Sequence, residues 1–253
     1  SILICKSTQF VGINKRNIPL IWSLTTLILL GFSTAFYFSD SWLALINDPE
    51  MPGLVNEIKT NGLIFRTRIL FLLFTLLSTI FIFKFSPKSI LYLQILIYFG
   101  QFLLMPPIRK IADSLRQKPL RNISKKIIDV RSMREPIAMI GIRKPSLHFY
   151  SKQIIFYESS SPTGLVNLSE RFIFEKRSNE LDQPNYQSES FLVVIDKYSK
   201  KLKHWDEINS QMLGTYGIYS LLRIKREDLN NIVKEFKIDG IQPNWVIEKY
   251  EKF

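Results

Sequence analysis

The chain has 253 residues, a net charge of +12 and 46% hydrophobic residues. Its only cysteine is Cys5 and its only histidines, His148 and His204, are far apart, which excludes an intrachain disulfide and leaves no ligand spacing for a metal, so neither a metal nor a cofactor is expected. The charge is uneven: residues 109–144 hold 11 Lys/Arg against 3 Asp/Glu, whereas residues 145–253 hold 15 of each. A basic collar that follows an apolar stretch points to lipid head groups or phosphate. With no nucleic-acid-binding motif beside it, a nucleic-acid partner is not expected.

The chain opens on Ser, and SILICKSTQF has neither the basic start nor the small-residue cleavage site of a signal peptide. An upstream portion of the protein is therefore expected. Residues 1–107 read as a membrane part with three transmembrane helices, at about 18–38, 66–85 and 89–106. The first, IPLIWSLTTLILLGFSTAFYF, is one bilayer thickness of uncharged helix with Trp22, Tyr37 and Trp42 near its ends. Pro19 is tolerable in its first turn. A loop with Asp40, Asp48, Glu50 and Glu57 against Lys59 follows. The second and third runs, ILFLLFTLLSTIFIF and ILYLQILIYFGQFLLM, are joined by a short turn between Lys84 and Ser89. Thr and Ser hydroxyls in the second run can bond back to the preceding turn. Lys84 and Lys88 on one side, and Arg66, Arg68 and Arg109 on the other, can snorkel to the head groups. The acidic first loop fits the outside, and Lys6, Lys15, Arg16, Lys84 and Lys88 fit the cytoplasm. This places the carboxy-terminal domain outside the cytoplasm, although the collar after the third span argues the opposite way.

Residues 108–134 read as a basic amphipathic connector divided by Pro119. Leu120, Ile123, Ile127 and Val130 recur at helical spacing, with Arg121, Lys125 and Lys126 elsewhere on the helix. Such a helix either lies along the head groups or packs on its own domain with its lysines solvated.

Residues 135–253 read as a small α/β domain, because short strands alternate with helices. The expected strands are Pro136–Ile142, Ile154–Tyr157, a central Phe191–Ile195 and Gly217–Ile224. The expected helices are a turn from Pro145-Ser146 through Tyr150, a proline-started helix over Gly164–Phe174, then Trp205–Met212 and Asp228–Phe236. Ser178–Ser190 is expected to be a loop, and the tail with Pro243 and Trp245 is unplaced.

No nucleotide-binding or nucleophile-elbow motif occurs. The candidate substrate-binding residues are Arg116, Arg121, Lys144, Ser146 and Tyr150. Arg116 and Arg121 follow the last apolar run, where the phosphate of a membrane lipid lies, and a guanidinium fork suits phosphate. A solvated basic face with an Asp113–Arg116 pair is the alternative. Lys144, Ser146 and Tyr150 follow the first strand, and ligands of α/β sheets favour the carboxyl ends of strands. Those residues suit a phosphorylated or sugar-bearing ligand, with an ordinary strand-to-helix connection as the alternative. Acid–base work by Asp48 and Glu50 is the weaker alternative to a plain surface loop.

The segments IADSLRQKPLRNIS, EPIAMIGIRKPSLHFYSKQIIFYE and GLVNLSERF resemble the carboxy-terminal end of the aminoarabinose-transferase-like glycosyltransferases, and among these most resemble the cyanobacterial members. The resemblance runs from about Ile18 to Ile224, and Glu135–Tyr150 is its most specific part. It implies a multi-span membrane enzyme of the GT-C class, related to the protein mannosyltransferases. Such enzymes take a sugar from a polyprenyl-phosphate carrier and transfer it to a lipid or other envelope acceptor on the outer side of the membrane. It implies a soluble α/β domain on that side, and as partners the lipid-linked donor, membrane lipids and the missing amino-terminal transmembrane part of the same protein. The family's catalytic carboxylate lies near its amino terminus, a region with no counterpart here. No catalytic residue is carried over, and the piece alone is expected to be inactive. A non-enzymatic membrane-anchored binding domain is the alternative.

Overall fold

The computed structural model describes residues 18–83, 87–132, 135–179 and 188–244. Lys6, Lys15, Arg16, Lys84, Trp245 and most of the expected loop after Ser178 lie outside the described residues, as does the Lys88 side chain. The chain divides into two compact units, Ser1–Leu115 and Arg116–Phe253.

The first unit is helical: α1 (Ile18–Tyr37), α2 (Ser39–Leu43), α3 (Leu54–Thr60), α4 (Leu63–Phe83) and α5 (Pro87–Ala112). Among the described residues, two apolar segments are long enough to cross a bilayer, Leu63–Ile80 and one within the continuous helical stretch Tyr92–Val130. The apolar run described in α1, Trp22–Tyr37, is shorter than that. Helix α5 does not stop at Pro106-Pro107 as expected, but carries both prolines on to Ala112.

The interior of this unit is polar in places and its exterior is oily. Thr26 and Ser78 share a hydrogen bond at 2.6 Å between α1 and α4. Thr75 and Thr79 donate to the carbonyls one turn back, as the sequence suggested. Arg68 does not snorkel; its Nε donates to the Phe36 carbonyl at 2.7 Å and its Nη2 to Ser39 at 2.9 Å. A cation there satisfies an orphan carbonyl at the end of α1. Between α1 and α4 the Phe36 ring stacks on Phe71 and the Phe32 ring meets it at a tilt, while Phe74 meets Phe71 edge to face. Gly100 lets α5 approach α4, since a Cβ there would stand 2.6 Å from the Phe74 ring. Leu72, Leu76, Ile80, Tyr98, Phe99 and Phe102 all face outward.

The second unit begins as α5 passes through a π-helical turn, Asp113–Gln117, into α6 (Lys118–Val130). It continues with β1 (Ile137–Ile140), α7 (Ser146–Ser151), β2 (Phe156–Glu158), α8 (Pro162–Asn179), β3 (Ser190–Asp196), α9 (Lys197–Lys200), α10 (Lys203–Asp206), β4 (Ser210–Tyr216), β5 (Tyr219–Lys225) and α11 (Arg226–Ile238). The strands form one mixed sheet in the order β2-β1-β3-β5-β4. β1 is parallel to both β2 and β3, while β5 is antiparallel to β3 and β4.

Both faces of the sheet are covered, which is why β1 and β3 are continuous apolar runs rather than alternating ones. Ala138, Ile140, Phe191, Val193 and Ile195 pack with Leu165, Leu168 and Phe172 of α8 and Leu229 and Val233 of α11. Ile137, Met139, Leu192 and Val194 pack on the other face with Leu120, Ile123 and Ile127 of α6 and Leu147 of α7. That settles the reading of the connector: its apolar stripe is buried in its own domain, and does not lie on head groups.

Two other expectations change. Trp205–Met212 is not a helix; α10 ends at Asp206 and β4 begins at Ser210. Helix α8 is longer than the segment expected for it and reaches Asn179. It starts as the sequence suggested, with Ser161 accepting from the Gly164 amide at 3.2 Å and Pro162 in first place.

Candidate functional site

In a sheet with parallel strands, ligands sit beyond the strands' carboxyl ends. Strands β1, β2 and β3 share that edge here, and end at Ile140, Glu158 and Asp196. The chain feeds this edge from two directions. Gly141, Arg143, Lys144 and Ser146 leave β1 directly. Helix α6 returns to the opposite end of β1, so its own start lies at the carboxyl edge. The β4–β5 turn fixes that placement: Tyr219 pairs with Asp196, and a Cβ on Gly217 (φ +62) would stand 3.0 Å from Pro119.

The five sequence-predicted residues are therefore gathered on one edge. Arg116 is exposed, and Arg121, Lys144, Ser146 and Tyr150 are half-buried. Tyr150 of α7 donates its hydroxyl to Gln117 at 2.9 Å, which joins the two clusters that were separate in the sequence. Tyr157 donates to the Lys144 carbonyl at 3.2 Å and fixes the loop beneath that lysine. Burial raises the Tyr157 phenol above its ordinary value, so it stays a donor. Ser146 does not cap α7; Pro145 holds the cap position, and no side-chain bond closes it.

The same edge holds two buried carboxylates that the sequence did not single out. Asp196 accepts from the Tyr198 and Ser199 amides and, at 2.6 Å, from the Ser199 hydroxyl. It caps α9, and Gly141 (φ +82) passes so close that a Cβ would lie 2.2 Å from its Oδ2. Glu158 pairs with Arg171 at 2.9 Å and accepts from Asn167 at 3.3 Å. Both carboxylates are occupied by the fold. Asp40 in the first unit pairs with Lys59 at 2.9 Å, and this hydrogen bond and charge hold its carboxyl below the usual range.

The opposite edge is a lock rather than a site. Glu135 is fully buried, and Arg223 reaches both of its oxygens at 2.9 and 3.0 Å. Ser190 and the Ser132 amide also donate to it, and Arg223 donates to the Val130 carbonyl at 2.6 Å. Burial by itself would raise the Glu135 carboxyl. The hydrogen bonds from Arg223, Ser190 and Ser132, with the Arg223 charge, outweigh burial and hold it below its ordinary value. Arg131 bonds the Glu135 carbonyl at 2.7 Å and also the Gln153 side chain.

Residues 130–240 match the family described as cyanobacterial RgtA-type glycosyltransferase, C-terminal domain. Comparison with curated proteins gives no match. Among solved structures, the chain resembles ArnT from Cupriavidus metallidurans bound to undecaprenyl phosphate, with TM-score 0.53 and 9% identity over 84% of this chain and 38% of that one. The apo state of the same protein gives TM-score 0.53 and 8% identity over 86% and 39%. At such identities the likeness is one of fold, and the chain spans well under half the length of either neighbour.

Proposed function

Starting from a carboxy-terminal unit that matches the C-terminal domain of the cyanobacterial RgtA-type glycosyltransferases, we propose that the chain is the carboxy-terminal part of an integral-membrane glycosyltransferase. It moves a sugar from a polyprenyl-phosphate carrier to a lipid or other envelope acceptor. Helices α1, α4 and α5 cross the bilayer, and the sheet unit lies outside the cytoplasm. The observation that carries the proposal is the gathering of Arg116, Arg121 and Lys144 on one sheet edge, close along the chain to the end of α5. The ArnT neighbour, which shares this fold, was solved with a polyprenyl phosphate bound.

In the reaction, an acceptor hydroxyl attacks the anomeric carbon and the bond from that carbon to the phosphate oxygen breaks. The phosphate leaves with the electron pair. A carboxylate from a region upstream of this sequence takes the hydroxyl proton as general base. Arg116, Arg121 and Lys144 stabilise the negative charge on the departing phosphate. Ser146 lines the same edge, and Tyr150 positions Gln117 beside Arg116.

The test is transfer from a labelled polyprenyl-phosphate sugar by the full-length protein in membranes. A charge-assisted hydrogen bond is worth about 1.5–3 kcal/mol, so Arg116→Ala and Lys144→Ala are each expected to weaken donor use by roughly ten- to a hundredfold. Unchanged donor kinetics in both variants would remove this edge from the site. No transfer by the wild-type protein from any such donor would favour a membrane-anchored binding domain.

A further inference from the structure

Arg68 stands in the second turn of α4, within the apolar segment Leu63–Ile80. Phe65, three residues before it, and Leu72, four after it, are exposed. Residues at that spacing share a helix face, so the arginine interrupts an outward apolar stripe. Its guanidinium is nonetheless fixed. Nε and Nη2 are spent on the Phe36 carbonyl and the Ser39 hydroxyl, and the Tyr37 ring lies 5.8 Å from the guanidinium carbon. Nη1 makes no hydrogen bond to the described residues. The neighbouring carboxylate, Asp40, is paired with Lys59 at 2.9 Å. Phe36 lies in the last turn of α1 and Ser39 just past its end, which sets the level of the cation. Exposed Tyr37 and Phe38 stand at the same level, with Trp42 bonded back to the Ala35 carbonyl. Such aromatic side chains gather where a membrane helix meets the head groups.

We propose that Nη1 of Arg68 holds the phosphate of a membrane lipid at the corner of α1 and α4. A guanidinium donor without an acceptor is costly beside hydrocarbon. Phosphate oxygens supply the acceptor through a short, charge-assisted bond that suits a guanidinium. The side chain does not extend to the head groups; two bonds keep it at the end of α1, and the phosphate comes to it. Arg66 is the internal contrast. It is exposed, about 200° away around the same helix, and no side-chain bond to the described residues fixes it. Bulk phospholipid and the polyprenyl carrier share the phosphate chemistry that this corner recognises. The inference rests on reading α1 and α4 as membrane helices, and not on the transfer reaction.

The test uses the full chain in detergent. Native mass spectrometry measures its retention of added phosphatidylglycerol, of a diacylglycerol with the same acyl chains, and of a polyprenyl phosphate. The expected result is retention of phosphate-bearing lipid over the diacylglycerol, weakened about ten- to a hundredfold in Arg68→Gln and unchanged in Arg66→Gln. Arg68-dependent retention of phosphatidylglycerol makes bulk phospholipid an occupant, and such retention of the polyprenyl phosphate alone makes the carrier the occupant. Equal retention of all three lipids by the unaltered chain overturns the site before any variant is made. Undiminished retention in Arg68→Gln, or an equal loss in Arg66→Gln, overturns it too. Ser39→Ala removes an inner bond and leaves Nη1 in place. A loss there as large as in Arg68→Gln assigns the effect to the fold of the corner and overturns the site as well. Retention is read without sugar transfer, so its failure is distinct from a failure of the proposed reaction.

Discussion

The two units invert each other. In the helical unit, Leu72, Leu76, Phe99 and Phe102 face outward, while the contacts between helices include the Thr26–Ser78 bond and the Arg68 cap on α1. In the sheet unit, Ile137 to Ile140 and Phe191 to Ile195 are sealed on both faces, and the lysines of α6 point away from the core. One chain thus carries two solutions to two solvents. Where lipid surrounds a helix, apolar side chains cost nothing on the outside and polar groups must find partners within. Where water surrounds a sheet, the apolar runs must be covered.

The largest effect comes from the pair of Glu135 and Arg223, whose carboxylate is fully buried. Removing one partner of such a pair leaves the other uncompensated and costs about 3–5 kcal/mol. Glu135→Ala is expected to lower the unfolding midpoint of the carboxy-terminal unit by that measure, read by denaturant titration of its Trp205 fluorescence. An unchanged midpoint would make the lock at the amino edge incidental.

The helical unit is tested from its outer face. An acidic side chain at mid-helix costs about 2.5–3.5 kcal/mol of membrane insertion. Phe102→Asp is therefore expected to deplete the protein from the membrane fraction, although that side chain is largely exposed in the fold. Full integration of the variant would mean that this face does not meet lipid.

Smaller effects refine the sheet unit. Asp196→Ala removes a helix cap with three donors and is expected to cost about 1–2 kcal/mol, measured as above. The Glu135 carboxyl is held below its ordinary value, so the stability it contributes is fully present above about 4.5 and is lost as pH falls through the lower folded-state value. Glu135→Gln should flatten that acid limb, and an identical limb in the variant would assign it to other carboxylates.

Local composition made part of this legible. β1 and β3 are uninterrupted apolar runs and α8 announces itself with Ser161-Pro162, so their existence follows from short-range chemistry. The edge strand β4 does not: Ser210, Gln211 and Met212 show no alternation, and a bulge between Met212 and Gly214 breaks the register. Its strand state comes from pairing with β5. The candidate basic residues could be picked out by charge and position, but the placing of their segments at one sheet edge could not. It depends on α6 running antiparallel to β1 and on the bond from Tyr150 to Gln117, across a separation of 33 residues. Glu135 was invisible for the same reason, since its partner Arg223 lies 88 residues away.

We propose that the apolar unit lies in lipid and that the sheet unit lies outside the cytoplasm. Lys234 is exposed on α11, far in sequence from every apolar helix of the first unit. In intact cells making the full-length protein with Lys234→Cys as its only cysteine, a membrane-impermeant maleimide is expected to label that position without permeabilisation of the inner membrane. Labelling that appears only after the inner membrane is opened would put the sheet unit in the cytoplasm and contradict the account.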